Sequence, residues 1–159
     1  MKENVKLMEI RRPNGLEYQK ILLLTPQAIH DGTMGGSVPT DVKVKQLVEP
    51  LLEKGSYYLI ATEDGTLMGW ILIGSSKDQF TEKAYGFIYE LFVMEEFRGK
   101  GISKKLMATA TQDFERDGYS EARLSVYAGN QAIKLYEKMG YENRTITMSM
   151  PIKSNSKLK

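Results

Sequence analysis

Residues 84–126 read as a strand, a glycine turn, a helix and a second strand, and no other stretch constrains the fold as much. Residues 84–93 are a mostly apolar run, and Gly99 and Gly101 punctuate the turn that follows. Ile102, Leu106, Ala110 and Phe114 then recur one helical turn apart until Gly118 stops the helix. Residues 122–126 return as a strand. A strand–helix–strand unit favours at least one parallel pair of neighbours. Upstream, residues 57–62 and 67–73 flank Asp64-Gly65, the signature of a tight hairpin, and a polar linker over 75–83 leads into the strand at 84. Three strands in succession favour antiparallel pairing. The expected fold is therefore α/β, with a mixed and mostly antiparallel central sheet.

The remaining elements fit around that sheet. Residues 5–10 alternate apolar and charged side chains as a short strand does, and Pro13 and Gly15 mark a turn after it. Residues 16–29 are apolar at 21, 22, 24, 28 and 29, which predicts a first helix that Pro26 should break or kink. The glycines between His30 and Pro39 predict a loop. Thr40 or Asp41 can cap a second helix carrying Val44, Leu47, Val48, Leu51 and Leu52, which Gly55 ends. Asn130 can cap a short helix with Ala132, Ile133, Tyr136 and Met139 on one face. Residues 141–150 return to a strand pattern. About four helices thus flank the sheet in a single domain over 1–152, and a basic tail over 153–159 is expected to be disordered.

Composition removes whole classes of function. Among 159 residues there is no cysteine, so disulfide frameworks, thiolate nucleophiles and cysteine zinc sites are excluded. The single histidine, His30, excludes a multi-histidine metal site and disfavours a Ser-His-Asp hydrolase; no metal is expected. Lys and Arg number 22 against 20 Asp and Glu, but three of the lysines follow Ile152, leaving residues 1–152 at −1. A near-neutral domain argues against nucleic acid as partner. The longest apolar runs reach five residues, far short of the about 20 that cross a membrane. The first ten residues are charged and lack a signal-peptide core. The expectation is a soluble, cytoplasmic protein.

The turn at 98–103, Arg-Gly-Lys-Gly-Ile-Ser, is where chemistry concentrates. A strand end meets a helix N-terminus there, so backbone N–H groups are free and the helix dipole is positive. Gly99 and Gly101 let backbone approach a ligand closely, and Arg98, Lys100, Lys104 and Lys105 add charge. Such a turn is a phosphate cradle, or else a plain strand-to-helix connection. It is not a P-loop, because Met94 stands where that motif needs glycine and Gly101 follows Lys100 where a hydroxyl residue belongs. It also lacks the third glycine of the dinucleotide fingerprint.

The run from 98 to 103 resembles the Arg/Gln-x-x-Gly-x-Gly/Ala motif of the GNAT superfamily of acetyl-CoA-dependent N-acetyltransferases. Leu91-Phe92-Val93 resembles that family's Leu-x-Val strand. Leu124-Ser-Val126 with Asn130, Ala132, Tyr136 and Gly140-Tyr141 is similar to its second motif. Two positions depart from the pattern: Ser103 stands at a Gly/Ala position, and Glu95 stands where proline is frequent. The resemblance implies acetyl-CoA as co-substrate, bound between splayed strands that end at Val93 and at 122–126. Its pyrophosphate would lie on the amides of Arg98, Gly99, Lys100, Gly101, Ile102 and Ser103, its pantetheine beside Phe92 and Val93, with Asn130 in contact and Tyr136 near the sulfur.

Transfer to an amine asks for a base, an oxyanion donor and an acid for the departing thiolate. Glu90 is the only charged side chain between Phe87 and Met94, and partial burial would raise its pKa into a useful range. It reads as the base, or as a solvated strand glutamate. A backbone N–H near Phe92 or Val93 suits the oxyanion. Tyr136 reads as the acid, or as a core tyrosine on a short helix. His30-Asp31 could line an acceptor pocket or simply lie on the surface. The reading is an N-acetyltransferase acting on a primary amine by direct attack in a ternary complex, with a small molecule or peptide as acceptor and a homodimer as the default oligomer. Its rivals are a non-catalytic acyl-CoA-binding or sensor domain and, disfavoured by charge, a nucleic-acid binder.

Overall fold

The computed structural model describes residues 7–153. Its strands are β1 (Met8–Arg11), β2 (Tyr57–Glu63), β3 (Thr66–Lys77), β4 (Ala84–Val93) and β5 (Ala122–Leu124), in the spatial order β1-β2-β3-β4-β5. All neighbours pair antiparallel except β4 and β5, which are parallel. The helices are α1 (Gly15–Gly32), α2 (Asp41–Glu53), α3 (Ile102–Arg116) and α4 (Ala132–Lys138). The mixed, mostly antiparallel α/β sheet expected from the sequence is present.

Both faces of the sheet are covered, which explains why β2 and β3 read as continuous apolar runs rather than alternating ones. On one face Leu59, Ile71, Ile73 and Ile88 pack against Leu106, Met107, Ala110 and Phe114 of α3. On the other, Tyr58, Ile60, Trp70 and Leu72 pack against Ile21 and Leu22 of α1 and Val44 and Val48 of α2. The α3–α4 face and the α1–α2 face are distinct cores, and side chains alternating along a strand address one or the other.

Several boundaries differ from the sequence reading. The first strand, expected over 5–10, is Met8–Arg11, and residues 1–6 lie outside the described part. Pro26 does not end α1, which runs through it to Gly32. Asn14 and Glu17 form a reciprocal capping box, and Ile21, Leu22 and Ala28 are buried on both sides of the proline, so packing outweighs the one missing N–H. The linker over 75–83 is shorter than expected because β3 continues to Lys77, opposite Ala84. The strand expected over 122–126 stops at Leu124. The strand expected over 141–150 is not formed: those residues join no ladder, and 142–153 are all exposed. A period-two pattern needs a sheet edge to lie on, and this chain does not lay it on its own β5. Of the tail expected over 153–159, only Lys153 is described.

Candidate active site

The turn from β4 into α3 is a nest of backbone donors. Met94 leads into a 3₁₀ turn over Glu95–Phe97, and Gly99 (φ 80°) and Gly101 (φ 78°) adopt the left-handed conformation that glycine tolerates best. Gly101 precedes α3 without any side-chain cap. Lys105 N–H is the first to bond back, to the Gly101 carbonyl. The N–H groups of residues 99–104 make no hydrogen bond within the described chain. Arg98 N–H, also expected to be available, instead donates to the Glu95 carbonyl (3.2 Å). Consecutive free amides at a helix N-terminus form an anion site.

Two observations show what fits there. A Cβ at Gly99 or Gly101 would meet no atom within 4 Å, so the glycines face open space. That space is a cavity of about 400 Å³ lined by Val93, Arg98, Gly99, Gly101, Ile102, Ser103 and Lys104, and by Leu135, Lys138 and Met139 of α4. Free amides, cations and an apolar wall suit a phosphorylated ligand with an apolar extension. Lys100 does not line the cavity; its Nζ lies 5.5 Å from the centre of the Phe97 ring.

Beside the cavity the sheet splits. Strands β4 and β5 pair only at Gly86–Ala122, Phe87–Arg123 and Ile88–Leu124. Past Ile88 the outer edge of β4, residues 89–93, has no strand beside it among the described residues, leaving Phe92 and Val93 on an open edge. An open edge offers N–H and C=O groups to an extended ligand.

Glu90 sits on that same stretch, and a bulge sets its direction. Leu72 pairs with Glu90 but Ile73 pairs with Ile88, so Tyr89 is the extra residue. Val93 and Leu91 belong to the α3–α4 core, Phe92 and Tyr89 to the α1–α2 core. Glu90 Oε1 accepts from the Trp70 indole N–H (2.6 Å), and Trp70 lies wholly within the α1–α2 core. Burial pushes the Glu90 carboxyl up to about 7, and the indole hydrogen bond opposes only part of that rise. Glu90 is thus a partly buried carboxylate with a raised pKa and not a solvated strand residue. Beside it the Tyr58 hydroxyl is buried without a hydrogen-bond partner among the described residues, and burial together with the Glu90 charge holds it strongly protonated.

The other sequence candidates occupy the rim. Asn130 is not the cap of α4, a place that Gln131 holds without a side-chain bond; one residue earlier, its Oδ1 accepts from Ala132 N–H (2.9 Å) and its Nδ2 donates to the Gly32 carbonyl (3.3 Å). Arg98 turns its side chain inward: Nε donates to the Val93 carbonyl (2.8 Å) and Nη2 pairs with Asp31 (3.2 Å). The Asp31 pair and the Asn130–Gly32 bond bring the end of α1 to the mouth of the split. Asp31 was only a weak candidate from sequence, because nothing local links residue 31 to residue 98. Tyr136 packs against the α3–α4 core, its ring centre 6.1 Å from that of Tyr141, and burial raises its hydroxyl pKa. It does not line the cavity, and its hydroxyl makes no hydrogen bond among the described residues. No cluster of metal-ligating residues occurs among the described residues, and no helix there is long and apolar enough to cross a membrane.

Fold and site together define a class: a mostly antiparallel sheet with one parallel split, and an amide-lined helix mouth beside it. Residues 30–141 match the acetyltransferase (GNAT) family, and the chain belongs to that family. It is 30% identical over 124 residues to the uncharacterized N-acetyltransferase YycN of Bacillus subtilis (strain 168), a match covering 72% of this chain and 78% of that protein. Among solved structures, a Pyrococcus furiosus protein described as an acetyl transferase shares the fold at a TM-score of 0.79, with 24% identity over 92% of this chain and all (100%) of that one. The aminoglycoside N-acetyltransferase AAC(6′)-Iy in complex with CoA shares it at 0.71, with 19% identity over 96% of this chain and 99% of that one.

Proposed function

We propose that this protein transfers an acetyl group from acetyl-CoA to a primary amine by direct attack within a ternary complex. The observation that carries the reading is the adjacency of three features on one stretch of chain: the free edge of β4, the amide nest that follows it, and Glu90 at its bulge. The pyrophosphate of the coenzyme would lie on the amides of Gly99, Lys100, Gly101, Ile102 and Ser103. Its pantetheine arm would run along Phe92 and Val93, and Asn130 would flank it. The Arg98 side chain, engaged with Val93 and Asp31, would shape the turn rather than clasp the phosphate.

In this reading Glu90 takes the proton of the amine as the nitrogen attacks the thioester carbon. A carboxylate near pKa 7 is matched to that work at neutral pH. The outward β4 backbone N–H of Val93 would stabilise the tetrahedral oxyanion, and Tyr136 would return a proton to the thiolate. The chain has no cysteine to carry the acetyl group, so direct attack is the simplest route.

The test is release of free CoA thiol from acetyl-CoA, followed with a panel of amines that includes polyamines, amino sugars, amino acids and peptide N-termini. Amine-dependent thiol release is the expected result. CoA binding without turnover across the panel would instead favour a non-catalytic acyl-CoA-binding domain.

A further inference from the structure

We propose that Trp70 is a positioning residue for the transfer: its indole N–H holds Glu90 Oε1, so that Oε2 is the oxygen that meets the acceptor amine. This role rests on the acetyltransferase reading with Glu90 as base. Trp70 lies on β3 opposite Phe92, and their ring centres are 4.8 Å apart. Glu90 pairs with Leu72, a residue of the α1–α2 core like Trp70 and Phe92, so all four address one face of the sheet. Glu90 is therefore the diagonal cross-strand neighbour of Trp70, a span that an aromatic side chain can bridge. The indole closes it at 2.6 Å.

A buried indole N–H needs an acceptor, and Trp70 is fully buried. Glutamine at position 90 would supply one through its amide oxygen without burying a charge. A carboxylate costs desolvation there and offers in return what an amide cannot, a site for a proton. It has two oxygens, and the indole takes one. Oε2 makes no hydrogen bond among the described residues, yet it is not sealed from solvent. The sealed side-chain atoms without partners there are His30 Nδ1 and the Tyr58 hydroxyl. The carboxylate is held at one oxygen and open at the other. Pinning it removes side-chain freedom before the amine arrives, as an oriented base requires. The indole also donates to the charged form, which keeps the carboxyl below where burial alone would take it. The other titratable or charged groups around the pair come from four elements and the turn. They are Tyr58 on β2, Tyr18 of α1 with Glu49 of α2 behind it, Tyr89 on β4, and Arg98 over the Phe92 ring. Among the described residues Trp70 alone donates a hydrogen bond to the carboxylate.

Trp70 is the single tryptophan of the chain, which gives two readouts. Replacing tryptophan by benzothienylalanine, its sulfur isostere, keeps the ring shape at this one position and removes the N–H. With circular dichroism and the CoA-induced rise in Tm unchanged, kcat for amine acetylation is expected to fall about ten- to a hundredfold, the worth of a hydrogen bond to a charged group. The pH midpoint of kcat/KM is expected to move up from about 7 by about one unit, with KM for acetyl-CoA within about twofold. Trp70→Phe should show the same upward midpoint, so either variant that folds carries the test. In the native chain Trp70 emission should titrate with a midpoint near 7, and Glu90→Gln should abolish that step. An isostere that matches the native kcat and midpoint would overturn the proposal and leave the acetyltransferase reading standing. So would a lower kcat with the midpoint unmoved, which is the mark of packing alone, or an emission step that survives Glu90→Gln. A native chain without amine-dependent thiol release fails the acetyltransferase reading itself, and the proposal falls with it.

Discussion

At Glu90 two forces oppose each other: burial in the α1–α2 core disfavours the charged carboxylate, and the Trp70 indole N–H favours it. Burial dominates, and the consequence can be read in two independent experiments. The first is kinetic. In the proposed role of base, Glu90 has to be ionised in the free enzyme, so kcat/KM should rise with pH through about 7 and then level. Glu90→Gln should lower kcat by about 10²–10⁴-fold while leaving CoA binding intact. The second is thermodynamic and holds whatever the reaction. The unfolded carboxyl titrates near 4.5 and the native one near 7, so between those values the native state holds more protons. Stability therefore falls as pH rises across that window, by on the order of 2–3 kcal/mol, and is flat above it. Glu90→Gln removes this term: urea denaturation should find the variant more stable than the parent at pH 8 and close to it at pH 4.5. Asp78 and Glu17, whose carboxyls are held low by their arginine partners and backbone N–H groups, add acid sensitivity to both proteins equally and cancel in the comparison. The same difference at both pH values would mean that Glu90 is not desolvated.

Among the elements, the short β4–β5 ladder matters most, since the split begins where it ends. Its root is Gly86 opposite Ala122, and a Cβ on Gly86 would sit 2.5 Å from the Phe114 ring. Gly86→Ala must push Phe114 out of the α3–α4 core, so it should cost about 1–3 kcal/mol in denaturant unfolding, with Phe114→Leu in the same chain recovering part of it. An unchanged midpoint would show that the ladder does not rest on α3. Sequence made this unit legible because its signals are local: alternation of strand residues, glycines at positive φ, and a helical period from Ile102 to Phe114. It did not reveal the split, which depends on where two strands far apart in sequence diverge. The bulge at Tyr89, which aims Glu90 into the α1–α2 core beside Trp70, leaves no mark on hydrophobic periodicity. The ion pair of Asp31 with Arg98 was hidden for the same reason. Residues 141–150 make the point in reverse: the strand pattern is plain, but they join no ladder, because a pattern does not supply the edge it needs.

For the whole molecule, the sheet is a partition with the amide nest on the α3–α4 side, Glu90 on the α1–α2 side, and the split as the passage between them. A coenzyme bound as proposed would touch α3, α4 and β4 at once, and through Arg98 and Asn130 it would bear on the end of α1. Ligand that binds only the folded state stabilises it by about 2.7 kcal/mol at a hundredfold excess over Kd. For a chain of this size that is a rise in Tm of about 5–10 °C. The position of the nest makes a sharper demand. In the proposed pose its free N–H groups and Lys104 meet the pyrophosphate, so CoA and acetyl-CoA should both produce this shift. Pantetheine, which keeps the thiol arm but lacks the pyrophosphate, should give less than about 2 °C at the same concentration, since most of the charge-assisted hydrogen bonding is gone. Inorganic pyrophosphate alone should give a small, salt-sensitive shift. Equal shifts from CoA and pantetheine would assign the affinity to the open edge of β4 and leave the amide nest without a ligand.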